Sequence, residues 1–483
     1  MTHAANLATL AFKQEGQAAF AGLSGDRNPI HIDEVAARRG PAGGLVVFGV
    51  DAMLSALEVV LQRRGSLPPA SRLRAQFLKF ILVGARAEVV VGRETTEQID
   101  IELRVADMAA AKISIGVGPL PPAEPSDLLV VAPIGLGAEP ARPDLEHEAL
   151  GEGRITPREG GQAGVLARYP LTCAWLGASR VEALALTSTV VGMVWPGDRS
   201  IFSELTVQVC QPADEPPGLA ARARRPDLRS PRIEIEVAAA GLRGVLRALV
   251  RSEPVPTPLT AEMRHLAPSG AYAGARALVI GGSRGLGAVT AKLLALAGAE
   301  VGLTYALGRA DAEAVAADIS GACAESPTSV LHCDVSAPLS GEVLGWLGRC
   351  SHLYYFATPS IRATNGRTFD RQAFEDFNRV YVDAFARLVE AAMQNRDGRP
   401  LKILYPSSVY VEARPRGMGE YAMSKAAAEV LCTELARAHP GVRIRVERLA
   451  RVLTDQTQGL VQVKADSAEQ VLARLLFASK DQP

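Results

Sequence analysis

Cysteine is scarce and scattered in this 483-residue chain. The six cysteines, Cys173, Cys210, Cys323, Cys333, Cys350 and Cys432, form no C-x-x-C pair, and the seven histidines do not cluster with them. That pattern argues against a disulfide framework and against a zinc site, so no metal is expected. Net charge is absent as well, because 52 basic residues balance 52 acidic ones. Nucleic acid and anionic membrane usually need a basic face, so neither is expected as the main partner. The local basic cluster Arg222–Arg225 reads as a solvated loop, with contact to an acidic carrier protein or a cofactor phosphate as the alternative. No apolar run is long enough to span a bilayer. Met1–Glu15 lacks the basic start and apolar core of a secretory leader. The expectation is a cytoplasmic protein.

Proline and glycine punctuate what is there. The run Pro119–Pro133 and the later P-V-P-T-P-L at Pro254–Leu259 read as connections between larger units. Three segments result: 1–118, 130–253 and 273–483. The first opens with a polar loop, continues with an apolar helical stretch at Val46–Leu61, and ends in extended runs (Leu73–Phe80, Arg86–Val91, Gln98–Val105, Lys112–Val117). One long helix wrapped by strands is the pattern of a hotdog domain. The second segment repeats it more weakly, with Tyr169–Val194 helical and extended runs at Ser200–Cys210, Arg232–Ala238 and Arg243–Val250. The third alternates aliphatic strands with helices, which argues for a parallel sheet covered on both faces.

The first segment carries S-G-D-R-N-P-I-H-I-D, Ser24 to Asp33. An acid and an imidazole five residues apart on one loop can address one water. Dehydration of a 3-hydroxyacyl thioester needs a base at the Cα proton and an acid for the departing hydroxyl, and a carboxylate–imidazole pair fills both roles near neutral pH. The enolate oxygen needs a backbone donor, for which the Gly49 amide at the start of the apolar helix is placed. The run resembles the MaoC-like, R-specific enoyl-CoA hydratase family. The resemblance implies a hotdog fold, Asp26 and His31 as the catalytic pair, and Gly49 as oxyanion donor. Asn28 and Phe48 are expected against the substrate. The family usually has histidine where this chain has Phe48. The second segment has no D-x-N-P-x-H and is expected to shape the acyl tunnel of a single site.

The third segment carries G-G-S-R-G-L-G at Gly281–Gly287 between a strand and a helix, the setting in which glycines let the backbone approach a pyrophosphate. Downstream lie Ser408 and Y-A-M-S-K, Tyr421 to Lys425. Tyr421 and Lys425 are four apart and share a helix face. A lysine ammonium beside the phenol is expected to lower its pKa and ready it to protonate a carbonyl. The set resembles the short-chain dehydrogenase/reductase family, in particular its 3-ketoacyl-thioester reductases. The resemblance implies that Ser408 orients the carbonyl, Tyr421 is the general acid and Lys425 holds the nicotinamide ribose; Ser407 is the rival serine. Gly281, Ser283, Arg284, Gly285, Leu286 and Gly287 are expected around the cofactor phosphates. Thr304, Tyr305, Asp334, Val335 and Thr454 are expected along its remainder. The strand Val301–Tyr305 ends without an acid for a free ribose 2′-hydroxyl, and Arg284 can pair with a 2′-phosphate, so NADPH is expected over NAD. The family's N-N-A-G reads Phe356-Ala357-Thr358-Pro359 here. Its helix asparagine is not evident, with Asp383 near its place.

The expectation is thus an α+β double hotdog followed by an α/β Rossmann doubly wound parallel sheet. The chain would reduce a 3-oxoacyl thioester with NADPH and dehydrate the product to a 2-enoyl thioester, in a fatty-acid-like or polyketide-like pathway. The expected partners are an acyl thioester on acyl carrier protein or coenzyme A, and a second copy of the chain in a homodimer. The alternatives are the oxidative direction with NAD, reduction of a non-thioester carbonyl, or one catalytically dead half that docks a carrier or holds a dimer.

Overall fold

The computed structural model describes residues 5–40, 42–251, 256–361, 363–364, 366, 368–396, 398–453 and 466–477. Chain contacts divide it into two units, Met1–Glu253 and Pro254–Pro483.

The first unit is built on one ten-stranded antiparallel sheet. Its strands are β1 (Ala5–Ala11), β2 (Ala70–Phe77), β3 (Arg86–Glu94), β4 (Gln98–Val105), β5 (Met108–Val117), β6 (Ala149–Ile155), β7 (Ser200–Val209), β8 (Leu219–Arg224), β9 (Arg232–Ala239) and β10 (Leu242–Val250). Their order is β1-β3-β4-β5-β2-β7-β10-β9-β8-β6. Read outward from the β2–β7 seam, both halves have the same order, so the unit is two hotdog repeats related by a pseudo-twofold. At the seam Leu73 pairs with Val207 and Ala75 with Leu205. Each repeat wraps a central helix. The first, Gly49–Arg64, buries Val50, Met53, Leu54, Leu57, Val60 and Leu61, a stripe at helical spacing. It stops at Gly65, whose φ of 79° suits glycine. The second, Ala178–Thr189, is buried from Val181 onward and runs into a π-helical turn at Val190–Val194.

The expected helix at 169–194 is interrupted, because Gly177 at φ 94° separates Pro170–Leu176 from Ala178–Thr189. Strands β1, β6 and β8 were not evident from pattern. The basic cluster is not a solvated loop. Arg222 and Arg224 lie on β8, where Arg222 meets Glu152 at 2.6 Å and Asp127 at 3.1 Å. Arg225 donates to the carbonyls of Leu145 and Leu228, each at 2.6 Å. Between strands carrying Glu152 and Glu236, these arginines satisfy cross-strand partners.

The second unit holds a six-stranded parallel sheet. Its strands are β11 (Arg276–Ile280), β12 (Glu300–Tyr305), β13 (Thr328–His332), β14 (His352–Tyr355), β15 (Leu401–Ser408) and β16 (Val442–Leu449), in the order β13-β12-β11-β14-β15-β16. A short parallel pair, β17 (Val452–Leu453) with β18 (Asp466–Ser467), lies outside it. Distinct apolar clusters cover the sheet's faces, one around Leu388 and Phe385, the other around Leu293 and Leu472. The strand order reverses between β11 and β14, and ligands of such sheets bind at the carboxyl ends of the strands at that switch point. The glycine turn follows β11 there.

Two candidate active sites

In the first unit the motif loop leaves the helix Gln14–Ser24 at Gly25, whose φ is 85°. Asp26 follows and is almost fully buried. Its Oδ1 accepts from the Asn28 amide at 3.0 Å and its Oδ2 from Ser188 Oγ at 2.7 Å. Burial outweighs both hydrogen bonds and pushes its carboxyl up to about 6. His31 Nδ1 lies 2.7 Å from the Val46 carbonyl. A carbonyl only accepts, so Nδ1 carries the proton and Nε2 keeps its lone pair. Burial holds the imidazole down at about 4, against the raising effect of that carbonyl. Asp26, His31 and Gly49 line one cavity with Val47, Phe77 and Phe202. Gly49 opens the central helix, so its N–H has no intrahelical acceptor. A Cβ at Gly49 would press on the Phe77 ring at 3.0 Å.

Two expected substrate contacts are corrected. Asn28 is fully buried, and its Nδ2 donates to Gly192 O and Gly197 O, both at 3.1 Å, and to Ser200 Oγ at 3.2 Å. It pins the motif loop to the second repeat and has no face toward a ligand. Phe48 is also fully buried, stacked on His31 with ring centroids 3.9 Å apart and packed on Phe20. It supports the imidazole from behind. Asp33 caps the next short helix, accepting from Val35 and Ala36 amides.

The second repeat does more than shape a tunnel. It supplies Ser188 and the π turn against which Asp26 rests. A Cβ at Gly192 would fall on both Asp26 carboxylate oxygens. An isolated glycine inside the apolar helical run V-V-G-M-V was the available signal for that close approach. Ser188 had none.

In the second unit Gly281 has φ 78° and its amide donates to Thr304 Oγ1 at 2.9 Å. Gly285, at φ 54°, starts the helix Gly285–Leu296. A Cβ at Gly287 would strike the Gly281 carbonyl. Ser283 and Arg284 complete the turn, and Leu286 packs on the core. Thr304 is corrected from cofactor contact to prop, because it is fully buried and its hydroxyl holds the glycine turn. Tyr305 is half-buried, edge-on to His332 at 5.3 Å. The Val335 side chain belongs to the core, another correction. Asp334 is exposed, and its Oδ1 accepts from the Ser336 amide at 2.8 Å. Thr454 lies outside the described residues.

Ser408 ends β15, and its hydroxyl hydrogen-bonds Tyr421. Ser407 is taken by Glu429, 2.5 Å away, which separates the two serines. Tyr421 and Lys425 share the helix Gly419–Ala438. Lys425 Nζ donates to the Pro406 carbonyl at 2.8 Å and sits 3.8 Å from the Tyr381 ring centre. Burial lowers the ammonium to about 7, and Cys432 and Glu429 oppose that shift. The expected lowering of Tyr421 is not found. Its burial outweighs the Ser408 hydrogen bond and raises the phenol above its ordinary value. A phenol so held stays protonated, the form a proton donor needs. Asp383, near the expected asparagine, is exposed, and the inward side chain of that helix turn is Tyr381.

Among the described residues no group of three His, Cys, Asp or Glu is placed to hold a metal ion, and no helix is long and apolar enough to cross a membrane.

Residues 4–116 match the family model of the MaoC like domain, and residues 275–468 match that of short chain dehydrogenase. An uncharacterized oxidoreductase of Mycobacterium tuberculosis is 34% identical over 189 residues, 37% of this chain and 54% of that protein. The chain thus spans about half the length of its mycobacterial relatives. The chloroplastic NADPH-dependent aldehyde reductase 2 of Arabidopsis thaliana is 29% identical over 192 residues, covering 36% of this chain and 70% of that protein. A short chain dehydrogenase from Burkholderia cenocepacia, solved in complex with NADP, is 27% identical and aligns with a TM-score of 0.39, over 43% of this chain and 91% of its own. The chain thus carries a MaoC-like hotdog domain at its N-terminal end, followed by a short chain dehydrogenase domain with a Rossmann sheet.

Proposed function

We propose that the chain reduces a 3-oxoacyl thioester with NADPH and dehydrates the 3-hydroxyacyl product to a 2-enoyl thioester. The observation that carries the reading is the pairing, across one apolar cavity, of a bare His31 Nε2 with an Asp26 carboxyl raised toward neutrality. His31 Nε2 takes the Cα proton. The C–H electron pair moves toward the thioester carbonyl, whose oxygen faces the Gly49 N–H. Asp26 gives its proton to the departing hydroxyl, the C–O bond breaks, and water leaves as the double bond forms. The carrier in this reading is acyl carrier protein or coenzyme A.

In the second unit Tyr421 protonates the carbonyl oxygen that Ser408 orients. The glycine turn suits a dinucleotide: Gly281 and Gly285 hold positive φ, and the position a Cβ would need at Gly287 is filled by backbone. A nicotinamide cofactor bound there supplies the hydride. Gly281, Arg284, Gly285 and Gly287 would hold its phosphates, and Lys425 its ribose. NADPH is favoured because β12 ends in Thr304 and Tyr305, without an acid that would repel a 2′-phosphate. The similarity to the NADPH-dependent aldehyde reductase 2 of Arabidopsis thaliana supports the same choice.

The test mixes the full chain with a short 3-oxoacyl pantetheine thioester and NADPH, or NADH, and follows cofactor oxidation and product mass. An enoyl product with NADPH supports the reading. A hydroxyacyl product alone removes the dehydratase half, and no oxidation with either cofactor removes the reductase half on this substrate class.

A further inference from the structure

Two departures from the reductase pattern meet in space. Thr358 stands in the F-A-T-P that replaces N-N-A-G. Tyr381 stands on the helix where the asparagine is missing. Thr358 Oγ1 and Tyr381 OH share a hydrogen bond of 2.5 Å. The Tyr381 backbone is fixed as well, because its carbonyl accepts from Tyr405 OH at 3.1 Å within the π-helical turn Arg379–Ala384. A π turn re-aims one side chain relative to its helix, and such turns concentrate at functional sites. Here the re-aimed ring lies under Lys425 Nζ at 3.8 Å and meets the Tyr421 ring edge-on at 5.8 Å, 78° between planes.

An ammonium has three N–H donors, and a buried one needs partners for them. Lys425 is buried, and Pro406 O is the one oxygen acceptor found for it among the described residues. The faces of Tyr381 and Tyr405, at 3.8 and 5.0 Å, cover it on other sides. An aromatic face attracts a cation without consuming a directed N–H.

Resting on the reductase reading above, we propose that Tyr381 is the positioning residue of this centre: with its backbone held in the π turn and by Tyr405, its ring fixes the Lys425 ammonium one helical turn from Tyr421 while leaving Lys425 donors for the cofactor ribose. The other groups facing Lys425 are Tyr405 from β15 and, on its own helix, Glu429 and Cys432. The Lys425–Tyr381 contact is specific, because it depends on the ring and not on the tyrosine hydroxyl.

The experiment labels lysine ε-carbons in the full chain and records the Lys425 ε-methylene signals, assigned with K425R. Protons held over a ring face are shifted upfield by its ring current, so the wild type is expected to show displaced Lys425 signals with or without any reductase activity. Y381F keeps the displacement and Y381L loses it. The pH midpoint of NADPH binding gives a second readout. Y381L moves it down by about one pH unit, because the ring no longer favours the charged amine, and Y381F restores it. A merely structural role would lower the melting temperature of Y381L and leave the midpoint where it was, which would overturn the proposal. So would undisplaced Lys425 signals in the wild type. Displaced signals in a protein that reduces no 3-oxoacyl thioester would retain the positioning role and defeat the reductase reading, so the two failures are distinguishable.

Discussion

Ser188 donates to Asp26 Oδ2 at 2.7 Å, from a residue 162 positions away in the repeat that lost its motif. The repeat without a catalytic pair is therefore part of the first repeat's site. S188A leaves one carboxylate oxygen without that donor in a buried setting. Loss of a hydrogen bond to a charged group is worth on the order of 2 kcal/mol. The expected outcome is a roughly thirty-fold fall in dehydratase kcat/KM, with reductase turnover unaffected; an unchanged dehydratase rate would remove Ser188 from the site.

The pH profile follows from the pair. Catalysis in either direction starts from the state with one proton shared between Asp26 and His31, because dehydration and hydration exchange isoprotic forms. The free-enzyme kcat/KM is expected to be bell-shaped, with an acid limb near 4 from His31 and a basic limb near 6 from Asp26. A dehydratase rate that kept rising through pH 8 would contradict the assignment.

Asp26 also sets a stability cost. Its folded pKa is raised from 3.8 to about 6. The cost is absent below the unfolded value, grows as pH rises between the two, and is complete above 6. D26N removes it. The variant is expected to be inactive as a dehydratase yet more stable than wild type at pH 8, by up to about 3 kcal/mol, with the gap closing toward pH 4. Denaturant unfolding of the hotdog unit at the two pH values measures this.

G192A places a methyl group on the Asp26 carboxylate. The carboxylate must move, and a catalytic group displaced by an ångström costs about a hundredfold in rate. The expected result is that loss in dehydratase kcat with a small change in substrate affinity.

In the proposed reduction Tyr421 is the proton donor, and Y421F removes it. General acids contribute 10²–10⁴-fold, so carbonyl reduction is expected to fall by about a thousandfold. Hydration of an enoyl thioester by the same preparation is expected to persist.

The two candidate sets were legible in the sequence as groups because each is local. Asp26 and His31 lie five residues apart, on a loop and the short helix Pro29–Ile32 that follows it, and Tyr421 and Lys425 on one helix, so chain spacing alone fixes their neighbourhood. The glycine turn was legible because positive φ and close backbone approach select glycine. Asn28 and Phe48 were misread for the opposite reason: a motif shows which residues are near the chemistry, and burial decides whether they face it. Thr304 and Val335 turned inward on the same grounds. The tertiary structure alone decided that Ser188 and Gly192 complete the hydratase-like site, and that Tyr381, hydrogen-bonded to Thr358, lies beneath Lys425. Those contacts bridge 162, 166 and 23 positions of chain (Gly192 lies 166 after Asp26). They arise where a pseudo-twofold seam and a π turn bring side chains together, and no local periodicity encodes such a meeting.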